Sequence, residues 1–150
     1  MHLLAFNTEL RSPVRRQFIR ENPSVIPTTA FRSSSHPLIQ SNHIPWVVDI
    51  DDEYSEVELG RLRGYIARQN PQAKAIIESL ASESSAVSLS SKTHLKENVL
   101  VLFDSPIHHY LTSKFYTEMK STSDKVVPTW DYEVVEVYGT ARIYFGSSFG

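Results

Sequence analysis

Six histidines, one dense acidic run and a block of aromatics around a proline are the residues of this chain with chemistry to offer. The acidic run Asp49-Ile50-Asp51-Asp52-Glu53 puts carboxylates at alternate positions. A calcium loop opening at Asp49 would need glycine sixth and glutamate twelfth. Tyr54 and Gly60 stand there, so the run reads as a solvated turn. His108 and His109 are neighbours, so on a strand they point to opposite faces and do not chelate together. No His-Glu-x-x-His spacing occurs, and the absence of cysteine removes thiolate metal sites, disulfides and cysteine nucleophiles. No metal site is expected. His43, between Asn42 and Ile44-Pro45, interrupts an extended stretch; it is either a hydrogen-bonded strand histidine or part of a ligand site.

Five glycines, none at P-loop or dinucleotide spacing, leave side chains and a helix start to hold any phosphate. Arg68 stands just before Asn70-Pro71, a cap followed by a helix-opening proline, where orphan N–H groups favour an anion. The same residues also make a plain capped helix with a solvated arginine. Val126-Val127-Pro128-Thr129-Trp130-Asp131-Tyr132 supplies two large aromatics with polar handles, which line a planar ligand's pocket or pack in a core or dimer interface.

Two short helices and about six strands must position these residues. Ser12 as cap and Pro13 as first helical residue open a helix whose apolar stripe is Val14, Phe18 and Ile19, with Arg15, Arg16, Arg20 and Glu21 facing solvent or a partner. Asn22-Pro23 ends it. Val25–Phe31 reads as a strand that Pro27 demotes to an edge or a bulge. Leu38–Ile50 is extended and interrupted at Pro45, and Arg61–Ala67 alternates Leu62, Gly64 and Ile66 against Arg61, Arg63 and Tyr65. Asn70-Pro71 opens the second helix through Ala73, Ile76 and Ile77. Seven serines within 79–91 predict a mobile surface loop. Asn98–Asp104 fits a strand covered on both faces, and Pro106–Thr112 is a further strand. The last strand carries Val135, Val137, Gly139, Ala141, Ile143 and Phe145 on one face.

At 150 residues and 41% hydrophobic content the chain makes one domain, 1–150, with a sizeable core. Fifteen basic against seventeen acidic side chains, net −2, argue against a domain that wraps nucleic acid by charge. With no signal-type leader and no apolar run of spanning length, the expected compartment is the cytoplasm, with no membrane partner. The residues alone point to a small β-barrel with helical decoration and a site for a planar or phosphorylated ligand.

His43-Ile44-Pro45, Arg68-Gln69-Asn70-Pro71-Gln72, Asn98-Val99-Leu100-Val101-Leu102-Phe103, His108-His109-Tyr110-Leu111-Thr112, Phe115-Tyr116, Val127-Pro128-Thr129-Trp130-Asp131-Tyr132 and Val137-Tyr138-Gly139 stand in an order that resembles the PaiB-type FMN-binding negative transcriptional regulator family. The resemblance implies a mainly β (α+β) split β-barrel of the FMN-binding, pyridoxamine phosphate oxidase-like type with short peripheral helices. It also implies a homodimer with flavin at the subunit interface. Carried over residue by residue, His43, Arg68, Asn70, Thr112, Tyr116, Thr129, Trp130 and Tyr132 surround FMN, with Arg68 and Thr112 suited to the phosphate and Trp130 or Tyr116 to the ring. Ala73 departs from the family's tryptophan, 79–91 reads as an insertion, and the chain reads as C-terminally truncated relative to the family. A flavin-dependent regulatory or redox-sensing module, a flavin-dependent oxidoreductase, and a haem-binding split barrel using His43 or His108 all stand as readings.

Overall fold

A computed structural model describes residues 8–83, 93–112 and 128–145. They form two units, one of residues up to Phe103 together with those from Val135 onward, the other within Asp104–Val134. In chain order the elements are α1 (Ser12–Glu21), β1 (Ser24–Ala30), β2 (Ile39–Ser41), β3 (Ile44–Asp49), β4 (Arg61–Gly64), α2 (Pro71–Glu83), β5 (Thr93–His94), β6 (Val99–Asp104), β7 (His109–Leu111), β8 (Thr129–Asp131), β9 (Val134–Gly139) and β10 (Arg142–Ile143). The main sheet runs β4-β3-β1-β6-β9, with β2 also on β1; β10 pairs β5, and β7 pairs β8.

The core follows from alternation. Val25 and Phe31 face inward from β1 and its end, and Val99, Val101 and Phe103 from β6. Antiparallel register sets Val25 opposite Phe103 and Pro27 opposite Val101, so the two inward faces coincide. Ile19 of α1 and Ile76 and Leu80 of α2 complete the cluster, and Val135, Val137, Ala141, Ile143 and Phe145 pack on it, the one face foreseen for the last strand. That strand is split in two because its partner changes from β6 to β5, with Leu95 N–H bonding Ala141 O at 2.9 Å between them.

Pro27 lies in the central strand, not at an edge, and the reason is local. The pairs Val25↔Ile44 and Thr28↔Ser41 belong to one register, so β2 and β3 are a single strand interrupted at Asn42-His43, opposite Ile26-Pro27. Pro27 has no N–H to give there, and the ladder opens. Pro45, where the interruption was expected, sits inside β3 instead. The register Trp46↔Gly64 would set Pro45 against Tyr65, and β4 ends at Gly64 instead of running to Ala67. Gly64 is needed for a second reason, since a Cβ there would collide with the Trp46 indole.

Helix α1 starts one residue earlier than expected, with Arg11 at the cap position and Ser12 already helical and buried. Arg16 does not face solvent. It is 2% exposed, and its guanidinium donates to Ser55 O at 2.8 Å, to Glu53 O at 2.7 Å and to Glu58 O. The planar fork finds acceptors that the helix periodicity could not announce. Those carbonyls belong to the acidic turn, which Glu58 closes by accepting the Asp51 and Asp52 N–H groups at 2.8 Å each. Held this way, the turn leaves Tyr54, Val57 and Leu59 largely exposed.

Helix α2 opens as expected, with Asn70 Oδ1 accepting the Gln72 N–H at 2.9 Å. It then runs through Glu83, so residues 79–83 are helical and Leu80 is core; the serines there are tolerated because Leu80 supplies the buried side chain. Positions 84–91 of the expected loop lie outside the described residues. Glu78 accepts Ser33 Oγ at 2.6 Å, Ser34 Oγ at 2.6 Å and Ser34 N at 2.8 Å, which hold its carboxyl at about 2, down from 4.5. A depressed carboxyl stabilises the fold fully above its unfolded value and loses that contribution as pH falls toward the folded one. Acidification from pH 5 to pH 2 is therefore expected to loosen residues 33–36 before the sheet unfolds, as NMR amide shifts along a titration will read, whereas Glu78→Ala is loose throughout.

Candidate functional site

The hairpin β7–β8 carries the aromatic face. The expected strand Pro106–Thr112 shortens to His109–Leu111 because Ser105 Oγ takes the Ile107 N–H at 3.1 Å and turns the chain there. Register sets His109 opposite Asp131, Tyr110 opposite Trp130 and Leu111 opposite Thr129. Period-2 alternation then puts His108, Tyr110, Trp130 and Tyr132 on one face and His109, Thr129 and Asp131 on the other. The His108 ring centroid lies 5.1 Å from that of Trp130 at 31°, and Tyr110 lies 6.0 Å away at 43°. Asp104, His108, Trp130 and Tyr132 line an open concavity of about 320 Å³. Trp130 remains 50% exposed, so half of a large aromatic surface is free for a further ring.

Of the residues singled out from sequence, Trp130 and Tyr132 come together here, while Thr129 points to the other face. Thr112 is half-buried at the end of the described segment, and Tyr116 lies outside the described residues. Tyr110 joins the face without having been chosen, and so does His108, which the sequence offered only as a haem ligand. The signal was the motif His108-His109-Tyr110, whose alternate residues needed only the hairpin register to meet Trp130.

His43, Arg68 and Asn70 belong to the other unit. Asn42 donates to Asn70 Oδ1 at 3.2 Å and to Gln72 Oε1 at 3.0 Å, which brings the His43 segment and the Arg68–Asn70 segment together at the start of α2. Gln72 is 1% exposed, and its amide nitrogen lies 3.1 Å from Pro27 O, 3.0 Å from Thr29 Oγ1 and 3.1 Å from Gln40 O. Two N–H groups thus serve three acceptors around the gap that Pro27 opens. His43 itself is exposed, as is Arg68, whose guanidinium carbon lies 6.0 Å from the Phe145 ring centroid. Gln72 and Asn42 were overlooked as organising residues, because only the pairing around Pro27 gives them acceptors.

An isoalloxazine ring is planar, broad and polar only at its edges, and the half-exposed Trp130 between His108, Tyr110 and Tyr132 suits it. The concavity falls within the range of small-molecule sites. Among the described lining residues Asp104 is the one carboxylate.

A mainly β antiparallel architecture with two described helices is that of a split-barrel FMN-binding fold. The chain belongs to the family described as "Putative FMN-binding domain", whose profile matches residues 1–149. An uncharacterized protein of Aspergillus fumigatus is 47% identical over 152 residues, taking in 98% of this chain and 58% of its own length. An uncharacterized protein of Emericella nidulans is 49% identical over 149 residues, with the same shares. The chain thus spans somewhat over half the length of these curated relatives. No solved structure matches it. Among the described residues no helix is long and apolar enough to cross a membrane.

Proposed function

We propose that this chain holds FMN with the isoalloxazine ring on the Trp130 face, and that it serves as the flavin-dependent regulatory or redox-sensing part of a PaiB-type protein. The half-exposed Trp130, flanked by His108, Tyr110 and Tyr132, carries the reading. Trp130 and Tyr132 stack on or border the ring. By the family resemblance His43, Arg68, Asn70, Thr112, Tyr116 and Thr129 are further proposed FMN-binding residues, with Arg68 suited to a phosphate by its charge. Bound FMN supplies one- and two-electron redox chemistry; the protein supplies binding, orientation and a local field. FMN is preferred to haem because the family is a flavin-binding one. The working unit is a cytoplasmic homodimer. A net charge of −2 favours action on transcription through another protein over direct contact with DNA.

A second reading is a flavin-dependent oxidoreductase. It is favoured by Asp104 and His108 lining the same concavity, where either could hold or move a proton beside the ring. Mixing the FMN-loaded protein with NADH or NADPH without oxygen separates the two, since turnover bleaches the flavin at a rate that saturates with reductant.

The test of binding is FMN titration followed by flavin fluorescence, with gel filtration to read retention. Trp130→Ala is expected to weaken binding by about 1–3 kcal/mol, roughly 5- to 150-fold, as the loss of one stacking platform does. Trp130→Phe restores most of it. Equal FMN affinity in wild type and Trp130→Ala would remove the aromatic face from the site, and failure of the wild type to retain FMN would remove the cofactor.

A further inference from the structure

We propose that Ser35 is the acceptor of a phosphoryl group from an arginine-directed protein kinase, and that its modification unlatches the β1–β2 loop from α2. The loop Phe31–Leu38 is closed at its base by Phe31 N–H to Leu38 O at 3.0 Å and reads Arg32-Ser33-Ser34-Ser35-His36-Pro37 in between. Its three serine hydroxyls converge on one carboxylate of α2, that of Glu78, and they are not equivalent. Ser33 is half-buried and fully engaged: it donates to Glu78 at 2.6 Å and its oxygen receives the Ser35 and His36 N–H groups at 3.2 and 3.0 Å. Ser34 ties both its hydroxyl and its N–H to the same carboxylate oxygen. Ser35 is exposed and has the longest carboxylate contact, 3.4 Å. It also has an exposed arginine three residues before it, the spacing at which an acidic kinase cleft reads a cation.

In the transfer, Ser35 Oγ attacks the γ-phosphorus of a nucleoside triphosphate. The bond from that phosphorus to the β–γ bridging oxygen breaks, the nucleoside diphosphate leaves, and the hydroxyl proton passes to the kinase's base. The product carries about −1.5 to −2 charges where a neutral hydroxyl had met Glu78, and the donor is gone. Attraction between loop and helix becomes repulsion. The partners the phosphate gains, Arg32 and the His36 ring whose Nδ1 lies 2.8 Å from Ser35 Oγ, are both on the loop itself. Pairs with these two groups form within the loop, and α2 stays on β1 and β2 through Gln72. This inference does not depend on the flavin.

The experiment treats the folded 150-residue chain with a purified arginine-directed kinase and ATP, maps the site by mass spectrometry, and follows amide exchange of residues 32–36. One phosphoryl group on Ser35 is expected, with the label lost in Ser35→Ala and much slowed in Arg32→Ala. Several-fold faster loop exchange should follow modification, and Glu78→Ala should reproduce it without phosphate. Label on Ser33 or Ser34 instead, label only on the urea-unfolded chain, indifference to Arg32→Ala, or loop exchange unchanged by phosphate would each overturn the proposal.

Discussion

Gln72→Leu is expected to lower the unfolding free energy by about 2–4 kcal/mol, although leucine fills nearly the same volume. The amide is enclosed, and its nitrogen serves Pro27 O, Gln40 O and Thr29 Oγ1. Removing it leaves buried acceptors without donors, each costing about 1–3 kcal/mol, while the side chain itself leaves no cavity. Thr29 can turn its own hydroxyl toward one orphaned carbonyl, which keeps the estimate below the full sum. Gln72→Glu fares no better, because an ionised carboxylate brings acceptors to a place that needs donors. Urea unfolding reads the effect as a lower midpoint at unchanged slope. A shift within about 0.5 kcal/mol, the range of an ordinary surface change, would mean that water fills the gap beside Pro27 equally well.

Arg16→Leu should cost a comparable amount, about 2–4 kcal/mol, and should act at a different place. The guanidinium holds the carbonyls of Glu53, Ser55 and Glu58, and hydrogen bonds from a cationic donor contribute about 1.5–3 kcal/mol each before water replaces some of them. Arg16→Lys separates charge from shape, since an ammonium is a point donor and cannot span three carbonyls as a planar fork does. Lysine is expected to recover less than half of the loss. Hydrogen exchange should show the amides of residues 51–58 losing protection in both variants while those of β1 and β6 keep theirs. Native stability in Arg16→Leu would show that the turn closes through Glu58 alone.

These two side chains also mark where sequence reading stops. The single face of the last strand, the apolar run Val99–Phe103 and the Asn70-Pro71 helix start were legible because alternation, continuous hydrophobicity and capping are local signals. The burial of Arg16 was not, since its acceptors lie 37 to 42 residues further on. Pro27 obeyed its chemistry but not the usual placement: its missing N–H falls at a break that a glutamine 45 residues away fills. Leu80 was hidden by composition, one large apolar side chain among serines, when helical phase with Ile76 was the better guide. At the aromatic face, Trp130 and Tyr132 stood out by residue type, whereas His108 and Tyr110 required a hairpin register between strands about twenty residues apart.

The order of strands has a consequence for how the chain is made. Everything on one flank of β1, namely β2, β3 and β4, follows it directly, so that half of the sheet can assemble as residues 24–64 leave the ribosome. The other flank waits for β6, whose first residue comes 69 positions after Ala30, an interval of roughly 3–14 s at about 5–20 residues per second. During that interval Val25 and Ile26 sit on a bare strand edge, the most adhesive surface a nascent sheet presents. Vectorial synthesis therefore makes the β1 flank the point at which a chaperone, or a neighbouring nascent chain, has the longest opportunity to bind.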